Sequence, residues 1–409
     1  MQKYDVIIVG ARCAGAATAL LLARQGVRVL LTDRARFPSD TVSTHLLHPA
    51  GVAHLADWGL LEPLLAGGCP PIRSIDFRPA PDLTLRGTPY PAPDGSTLVL
   101  APRRTVLDAM LIEAAVAAGA DLRVDTNFQD VVRDGDGRVV GASFAAREAP
   151  GDGHAFTAYA PLVIGADGRH STVARRVGAG VVQDAGNHGC QFYGYWSGLP
   201  DKGAQVFVGG GQAVLAFPTH GGNHLVLVGW AQERFHEVKQ DIDRHFLNAV
   251  GAGAPELRPY LTERARAAER ILGSGDLGNL IRVSSGPGWV LAGDAAVAKD
   301  AVTAQGIGDA FAQAQSLAEL LPAALAAGPA AVDAATAAHV EARDRAGATG
   351  FATTVAFATG ATGDELLAVF RAIQDRPNLV SLFFGVYAGR VSTAEFGTAV
   401  AAAGSRSAA

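Results

Sequence analysis

The sequence is poor in cysteine, and the cysteines it has do not form a disulfide pattern. Cys13, Cys69 and Cys190 are the three cysteines in 409 residues, an odd number spread far apart. Free thiols in a reducing compartment fit this usage better than a disulfide framework does. The chain enters an apolar run at Tyr4 to Val9 without the basic segment, apolar core and cleavage site of an export signal. The sequence therefore predicts a cytoplasmic protein.

Basic clusters, long apolar runs and metal-ligand patterns are also missing. The 34 lysines and arginines are spread along a chain of net charge -5, which argues against nucleic acid or an anionic membrane surface as the main partner. No apolar stretch reaches the ~18 uncharged residues of a membrane span, because even the alanine-rich segment 317–338 contains Glu319 and Pro322. No carboxylate pair, Cys/His cluster or H-E-x-x-H spacing occurs, so we expect no metal.

The chain is rich in apolar residues, which make up 49% of the sequence against 18% charged residues. This composition can form a large core, and the length of the chain corresponds to about two to three domains. Asp5 to Val9 predicts a buried parallel strand. The loop Gly10 to Gly15 follows, and Ala16 to Gln25 has the apolar spacing of a helix. Val27 to Thr32 predicts the next strand, which ends at Asp33. This β-α-β unit has about the ~30 residues that such units need.

The loop of this unit resembles the G-x-G-x-x-G pattern, in which backbone amides and a helix N-terminus hold a pyrophosphate. It reads GARCAG, with Gly10 and Gly15 in place and Arg12 where the middle glycine permits close approach to the phosphates. Arg12 can direct its guanidinium toward a phosphate or toward solvent, and the sequence leaves both open. Asp33 fits an acceptor for ribose hydroxyls and disfavours a 2′-phosphate, which favours FAD or NAD over NADP at this site. A plain tight turn is the alternative.

Later segments add strands, helices and two further glycine motifs. Cys190 to Trp230 alternates aromatic and small residues, with a hairpin around the glycines 209–211, and predicts an antiparallel sheet. The motif GADGRHS (165–171) follows a predicted strand, and GDAA (293–296) follows another, with TAQGIGD (303–309) close behind. An acid at a strand end can bind ribitol hydroxyls, and a glycine-rich helix N-terminus offers amides to a flavin or phosphate. Each motif alone is more often only a turn.

In this order and spacing the motifs resemble those of the class A flavoprotein monooxygenases, the fold group of p-hydroxybenzoate hydroxylase that also contains flavin halogenases and geranylgeranyl reductases. The resemblance covers nearly the whole chain, including the stretch Phe37 to Leu61 and GDAAVAKDAVTAQGIGDAF. It implies an α/β protein with a Rossmann-like FAD-binding domain, an inserted antiparallel-sheet substrate domain and C-terminal helices. We expect the FAD-binding domain in 1–70, 101–180 and 280–330, the substrate domain in 71–100 and 181–279, and the helices in 331–409.

The same resemblance implies the FAD contacts. Arg104, in the pattern R-x-x-L-D, would reach the diphosphate and ribitol region, with Arg103 as the rival if the register is off by one. Phe128 would lie beside the adenine, Asp294 would bind ribitol, and helix amides would face the flavin pyrimidine edge. The complete set of predicted cofactor-binding residues is Gly10, Ala11, Arg12, Ala14, Gly15, Asp33, Arg34, Thr44, Arg103, Arg104, Phe128, Asp167, Gly293, Asp294, Gly306 and Ile307.

The resemblance also gives candidates for catalysis and substrate binding. His45, in the loop beside the flavin, can relay a proton at neutral pH, and a loop histidine bonded to backbone is the alternative. Aromatic residues and one histidine of the inserted sheet are candidates for an aromatic substrate pocket, with ordinary sheet core as the alternative: Tyr193, Tyr195, Phe207, Phe217, His220 and Trp230.

The implied function is a monooxygenase of secondary metabolism that hydroxylates or epoxidises a hydrophobic aromatic or polycyclic molecule with O₂, through a flavin C4a-(hydro)peroxide. No second nucleotide loop is visible, so NADH or NADPH binds transiently or a separate flavin reductase supplies reduced flavin. Val297 stands where hydroxylases have a histidine, and Lys299, Asp300 and Ala301 follow without the usual proline. That departure keeps three alternatives open: a double-bond reductase of the geranylgeranyl reductase type, a flavin halogenase, and a non-redox cyclase or binding scaffold with structural FAD.

Overall fold

The computed structural model describes residues 3–147, 153–262, 265–266, 269–360 and 363–407. Its strands are β1 (Val6–Val9), β2 (Val29–Thr32), β3 (Ile75–Ala80), β4 (Leu83–Gly87), β5 (Asp121–Arg123), β6 (Thr126–Arg133), β7 (Val139–Arg147), β8 (Gly153–Tyr159), β9 (Leu162–Gly165), β10 (Val181–Gly186), β11 (Gly189–Ser197), β12 (Ala204–Gly209), β13 (Gln212–Thr219), β14 (Asn223–Ala231), β15 (Leu272–Ser274), β16 (Asn279–Arg282), β17 (Ser285–Gly286), β18 (Trp289–Leu291) and β19 (Val297–Ala298).

Its α-helices are α1 (Cys13–Ala23), α2 (Pro49–Asp57), α3 (Leu61–Ala66), α4 (Arg104–Ala117), α5 (Thr172–Val177), α6 (Phe235–Gln240), α7 (Ile242–Gly253), α8 (Gly306–Ala327), α9 (Pro329–Ala358), α10 (Asp364–Ile373), α11 (Pro377–Tyr387) and α12 (Thr393–Ser407). Helices α9 to α12 occupy most of the described part of 331–409, where C-terminal helices were expected. In the part of the chain that the structure describes, no helix is both long enough and apolar enough to cross a membrane.

A six-stranded sheet forms the first layer, in the order β17-β18-β9-β1-β2-β5 and parallel except between β17 and β18. Its central strands are apolar along their length because α1, α4 and α8 cover one face and the sheet β6-β7-β8 covers the other. Val9 pairs with both Thr32 and Gly165, so β1, β2 and β9 end level with one another. The loops after these strands therefore meet at one edge of the sheet.

A seven-stranded sheet, in the order β15-β11-β14-β13-β12-β3-β4, forms the predicted inserted layer. The hairpin of β12 and β13 is confirmed, and it turns on Gly210 and Gly211, whose φ angles of 61° and 75° suit glycine. One correction concerns strand direction. The sheet is antiparallel except where β12 pairs with β3 in parallel, with Ala204 opposite Ile75, because β3 reaches the sheet from an earlier part of the chain.

The two faces of this sheet pack against different helices. One face meets α10, α11 and α12 in a cluster that contains many phenylalanines, and the other face meets α7. Since successive side chains of a strand point to opposite faces, neighbours along one strand belong to different cores. The predicted assignment of these layers to three domains stays a prediction.

Candidate functional site

A cavity of about 700 Å³ opens where β1, β2, β9 and β18 end. Ligands of open α/β sheets bind outside such strand ends, and small-molecule sites have volumes of roughly 300–1,000 Å³. Ala11, Gly15 and Arg103 do not line the cavity. Its lining contains the other residues predicted to bind the cofactor: Gly10, Arg12, Ala14, Asp33, Arg34, Thr44, Arg104, Phe128, Asp167, Gly293, Asp294, Gly306 and Ile307.

The glycines of the first loop are required by close backbone packing. Gly10 has a φ of 102°, and a Cβ there would lie 2.3 Å from the carbonyl oxygen of Ala166. A Cβ on Gly15 would lie 1.8 Å from the carbonyl oxygen of Gly10. The loop can therefore turn tightly from β1 into α1. The first amides of α1, which have no partner within the helix, open on the cavity.

Asp33 is held at the end of β2 with its carboxylate beside this loop. Its Oδ2 accepts the N–H of Ala11 at 2.8 Å, and its Oδ1 accepts the N–H of Ala35 at 2.8 Å. Each oxygen keeps lone pairs for a further donor, because a carboxylate accepts about four hydrogen bonds. This geometry suits an acceptor for ribose hydroxyls at the adenosine end of a dinucleotide.

Arg12 directs its guanidinium to neither of the destinations expected for it, although the residue itself lines the cavity. Nη1 pairs with Asp108 on α4 at 2.8 Å, and Nη2 donates to Oγ of Ser39 at 3.0 Å and to the carbonyl oxygen of Asp40 at 3.2 Å. The arginine thus joins the glycine loop to α4 and to the segment 39–40. The segment that follows, 40–44, forms another part of the cavity wall.

The two candidate arginines at the start of α4 point in different directions. Arg104 lines the cavity and forms a buried ion pair with Asp108, whose Oδ1 also accepts the thiol of Cys13 at 3.2 Å. Burial raises the pKa of Cys13, so it stays a thiol and donates. Arg103 instead pairs with Glu269 at 2.9 Å. Arg104 is therefore the one of the two arginines that lines the cavity, and its contact with a diphosphate or ribitol stays a prediction.

The second half of the cavity is built from the GDAA turn and the start of α8. Gly293 has a φ of 60°, and a Cβ there would lie 2.8 Å from Cβ of Ala14, so the two loops touch. Asp294 follows in the cavity lining, where burial raises the pKa of its carboxyl against the opposing charges of Arg169 and Arg104. Gly306 begins α8 and presents helix N-terminal amides, which favour a group that gains negative charge.

Asp167 lines the cavity, but its carboxylate caps α5. Its Oδ1 accepts the hydroxyl of Ser171 at 2.5 Å, and its Oδ2 accepts the N–H groups of Thr172 and Val173 at 2.6 and 3.1 Å. Helix amides are the groups that an N-terminal carboxylate satisfies. Contact between Asp167 and a cofactor stays a prediction.

Together these residues fit an extended dinucleotide such as FAD. Carboxylates stand in each half of the cavity, Asp33 beside the first loop and Asp294 in the GDAA turn. Two helix N-termini and Arg104 lie in the same lining, which suits a diphosphate and an electron-accepting ring. In this arrangement Asp33 would hold the adenosine ribose, and Asp294 and the first amides of α8 would hold the flavin half.

His45 does not line either cavity in the described part of the chain, and its ring is fully buried behind the wall. Nδ1 donates to the carbonyl oxygen of Ser43 at 2.8 Å, so Nε2 accepts the hydroxyl of Tyr195, also at 2.8 Å. Burial lowers the pKa of His45 to about 3, which keeps the ring neutral. The structure thus gives His45 backbone and tyrosine partners, and its proposed part in catalysis stays a prediction.

The six predicted substrate residues do not form one pocket. Tyr193 and Tyr195 enclose His45, with ring centres 5.2 and 5.9 Å from the imidazole. Phe207 and Trp230 lie on the opposite face of the sheet, against the α7 core. This corrects the prediction of a shared aromatic pocket, because the pairing register, which the sequence does not show, decides the face of each strand position.

The remaining two residues of that set lie apart from each other as well. His220 follows β13, and its Nδ1 accepts the N–H of Arg103 at 3.2 Å. Phe217 lines a small apolar cavity of about 20 Å³ between the inserted sheet and α11. Leu46 and Ala304 belong to the walls of both cavities. The apolar cavity is therefore the immediate neighbour of the large one.

Sequence reasoning missed several residues of these walls. Tyr387 of α11 and His48 border the apolar cavity, and Gln191, Lys299 and Asp300 border the large one. Lys299 and Asp300 could have been recognised from the sequence, because these two charged residues depart from the expected pattern after GDAA. No feature of the sequence indicated Tyr387, because α11 lies far along the chain from the segments that it contacts.

Comparison with known proteins agrees with this geometry. The sequence pattern of a family described as FAD binding domain matches residues 3–236, more than half of the chain. A digeranylgeranylglycerophospholipid reductase of Methanothrix thermoacetophila is 27% identical over 358 residues, which cover 81% of each protein. A 6-methylpretetramide 4-monooxygenase of Streptomyces rimosus is 26% identical over 310 residues, covering 74% of this chain and 71% of the relative.

A solved structure extends the likeness to the whole fold. The flavin-dependent brominase Bmp2 superimposes with a TM-score of 0.79 and 18% identity, covering 99% of this chain and 100% of that one. At this identity the likeness is one of fold alone. The family match covers Gly10, Asp33 and Arg104, which line the large cavity. The chain therefore belongs to the FAD binding domain family, and it is an FAD-dependent oxidoreductase.

Proposed function

We propose that this oxidoreductase is a monooxygenase that hydroxylates or epoxidises an apolar aromatic or polycyclic molecule. The observation that supports the proposal is the apolar cavity beside the cofactor cavity, with Leu46 and Ala304 in both walls. Bound FAD, reduced by NADH or NADPH, supplies the electrons that activate molecular oxygen. The residues of the chain hold the cofactor, exclude water and orient the substrate beside it.

The wall of the small cavity favours an uncharged substrate group. Its two polar side chains already bond to backbone: Nε2 of His48 to the carbonyl oxygen of Thr303 at 2.9 Å, and the hydroxyl of Tyr387 to the carbonyl oxygen of Val302. A charged group that entered would lose its water and find no partner, which is costly. An apolar ring or chain loses no comparable hydration when it enters, so the cavity favours an apolar group.

The size of the small cavity sets how the substrate enters. At about 20 Å³ it has room for about one water molecule, so a larger ligand needs the wall to move. Phe383, Phe384 and Tyr387 of α11 form one side of it, against β3, β12 and β13. We infer that the substrate enters as α11 shifts or its aromatic side chains turn away from the sheet.

Oxygen transfer can be tested directly. The purified protein would be incubated with FAD, freed of unbound flavin and examined for a flavin spectrum. It would then be mixed with NADH or NADPH in isotopically labelled O₂ and a panel of naphthols, anthraquinones and tetracyclic phenols. We expect faster nucleotide oxidation with one compound class and label in its product. A protein that takes up no FAD, or a product whose new oxygen carries no label, contradicts the proposal.

Reduction of a carbon–carbon double bond is the second candidate, favoured by the relative named as a digeranylgeranylglycerophospholipid reductase, which matches 81% of this chain. An isoprenoid chain is also apolar and suits the same cavity. The discriminating measurement is anaerobic: flavin in the protein is reduced with dithionite, and geranylgeraniol is added. Reoxidation of the flavin together with a saturated product favours the reductase. Turnover that requires oxygen favours the monooxygenase.

A further inference from the structure

Gln191 is a buried glutamine in the wall of the cofactor cavity, and its side-chain amide bonds to no group among the described residues. The residue is 4% exposed and belongs to the lining of the large cavity. Neither amide atom is among the fully enclosed polar atoms that lack a partner, so both keep contact with open space. Leaving a polar group of a buried side chain unbonded is costly, so an amide in this position suits a ligand.

The strand that carries Gln191 directs its amide toward the cofactor cavity. Successive side chains of a strand point to opposite faces, so Gln191 shares its face of β11 with Tyr193 and Tyr195. The hydroxyl of Tyr193 donates to the carbonyl oxygen of Thr41 at 3.2 Å, and Thr41 is part of the cavity wall. The side chain of Gln191 therefore faces the same cavity.

The neighbours of Gln191 in the sheet are small and leave room beside its amide. Gly229 of β14 pairs with Gln191 on one side, and Ser274 of β15 pairs with it on the other. Gly229 has no side chain, and a Cβ there would meet nothing closer than 3.8 Å. Ser274 also lines the cavity, and its Oγ exchanges hydrogen bonds with the backbone of Asp276. Of these three residues in the sheet, Gln191 is the one with a free hydrogen-bonding group.

Contacts on either side of Gln191 along β11 fix its place in the cavity. A Cβ on Gly189 would lie 3.0 Å from Oδ2 of Asp300, so the start of β11 packs against the segment that follows GDAA. Tyr193 bonds to the segment 40–44, as described above. Gln191 therefore lies between these two segments, beside the half of the cavity that contains the GDAA turn.

The bonding of nearby cationic side chains favours a neutral ligand group beside Gln191. In the described lining, Lys299 pairs with Asp309 at 2.6 Å, and His170 bonds to Asp276 at 2.6 Å. Both Nη atoms of Arg169 donate to backbone carbonyl oxygens. An anionic group would lose its water there without gaining a free cation, which is costly. Since an uncharged amide both donates and accepts hydrogen bonds, a carbonyl or hydroxyl oxygen is the group that suits it.

We propose that Gln191 is a specificity-determining residue, whose amide binds a neutral carbonyl or hydroxyl oxygen of the substrate. This bond orients an aromatic ring in the cavity by the edge that carries the oxygen. A site that bonds an oxygen disfavours the analogue without it, because the polar group of the site is then left unpaired. The inference rests on the proposed function, which supplies the aromatic substrate.

The first measurement is binding to the oxidised, FAD-loaded protein without reductant. Equilibrium dialysis would give dissociation constants for two matched pairs, 1-naphthol with naphthalene and 1-tetralone with tetralin. In each pair, the ratio of the dissociation constant of the hydrocarbon to that of its oxygen-bearing partner should be about tenfold larger in the wild type than in Gln191→Met. Because methionine removes an amide that has no partner in the described chain, the variant should fold.

Gln205→Met is the matched control. Gln205, on β12 of the same sheet, is 3% exposed, and it shares its face of the strand with Phe207, which belongs to the α7 core. We expect this variant to keep the wild-type ratios. Titration with FAD should give the wild-type affinity for both variants, because the amide of Gln191 contacts the substrate and not the cofactor.

The outcomes separate this inference from the proposed function. Equal ratios in the wild type and Gln191→Met, or an equal loss in Gln205→Met, overturn the inference. It is also overturned if Gln191→Met weakens FAD binding and keeps the ratios, or if the FAD-loaded wild type binds none of the four compounds. Label from O₂ in a product leaves the proposed function standing in each of these cases. A protein that takes up no FAD overturns both.

Discussion

Arg12 shows how one substitution in a familiar loop changes what the loop does. Where the usual pattern has a glycine, this arginine bonds to Asp108, Ser39 and Asp40, and it lies 5.5 Å from the ring centre of Phe37. Its partners come from α4 and from the segment 39–40, next to residues that form another part of the cavity wall. In place of a glycine that would let the backbone approach a phosphate closely, Arg12 forms a cross-link between two walls of the site.

Removing this cross-link should weaken the fold and the cofactor site together. In Arg12→Met the buried Asp108 loses one of its two arginine partners, and we expect the free energy of unfolding to fall by about 1–3 kcal/mol. Arg36→Met is the control, because it breaks an ion pair whose arginine side chain is 79% exposed, and such pairs contribute about 0–1 kcal/mol. Urea unfolding and FAD titration measure both effects. Equal losses in the two variants would contradict the cross-link.

His45 gives a pH dependence whose sign follows from its burial. Its folded-state pKa is lowered to about 3, while the unfolded chain has the ordinary value of about 6.5. The unfolded state therefore binds more protons between these values, and stability falls as pH falls through that window. From pH 7 to pH 5 the wild type should lose about 2 kcal/mol more than His45→Asn.

The measurement is the urea midpoint of both proteins at the two pH values. Other buried histidines, such as His339 with a pKa lowered to about 4, contribute equally to both proteins and cancel in the comparison. Parallel losses in wild type and variant would show that His45 titrates normally in the folded protein.

The direction of a side chain is the part of the site that sequence could not supply. The family resemblance implied that His45 lies in the loop beside the flavin, and its neighbours Thr44 and Leu46 do line the large cavity. The ring itself turns away because Tyr195, 150 positions along the chain, supplies the partner for Nε2. Asp300 was visible only as a departure from a pattern, because its backbone bond to Asn279 and its approach to Gly189 depend on the fold.

Among the elements, those bounded by local signals were predicted well. The strand before Gly10 and the strand before Asp33 are short apolar runs that end at turn residues, and both formed as expected. Pairing between distant strands was not predictable. The parallel contact of β3 with β12, and the face on which Phe207 and Trp230 lie, depend on register between segments far apart in the chain.

Helix α9 contributes to the cofactor loop through a glycine. A Cβ on Gly350 would lie 2.6 Å from Oε1 of Gln305, whose Nε2 donates to the carbonyl oxygen of Tyr387 at 3.0 Å. Gln305 directly precedes Gly306, the first residue of α8 in the cofactor cavity. The spacing between α9 and this loop therefore helps to set where the amides of α8 lie.

Two glycines of α9 make a matched test of this contact. A Cβ on Gly347 would meet nothing within 4 Å, so Gly347→Ala should raise the free energy of unfolding by about 0.8–1.0 kcal/mol, as alanine does in a helix. Gly350→Ala should lack this gain because Gln305 must move to admit the Cβ, and FAD should bind more weakly. Denaturant unfolding and FAD titration are the measurements. A gain in stability from both alanines would contradict the contact.

At the scale of the whole molecule, the cofactor site is a junction of separate layers. The parallel sheet supplies Asp33 and Asp294 from its strand ends, the inserted sheet supplies Gln191, and Ala304 leads into α8. Leu46 and Ala304 stand between this junction and the apolar cavity against α11. A ligand that filled the cavity would touch all of these parts, so its binding should stabilise the fold as a unit.

The contributions of the two halves of the cavity to binding can be measured separately with a ligand that fills only one half. ADP carries the adenosine and diphosphate of FAD without the flavin, so it should contact Asp33 and leave Asp294 untouched. We expect Asp33→Asn to weaken both ADP and FAD by roughly tenfold, since a charge-assisted acceptor is lost. Asp294→Asn should weaken FAD by a similar factor and leave ADP binding unchanged. Calorimetric titration of the FAD-free proteins measures all four affinities. Weaker ADP binding in Asp294→Asn, or an unchanged affinity for ADP in Asp33→Asn, would show that the cofactor lies in the cavity in a different orientation from the one these residues indicate.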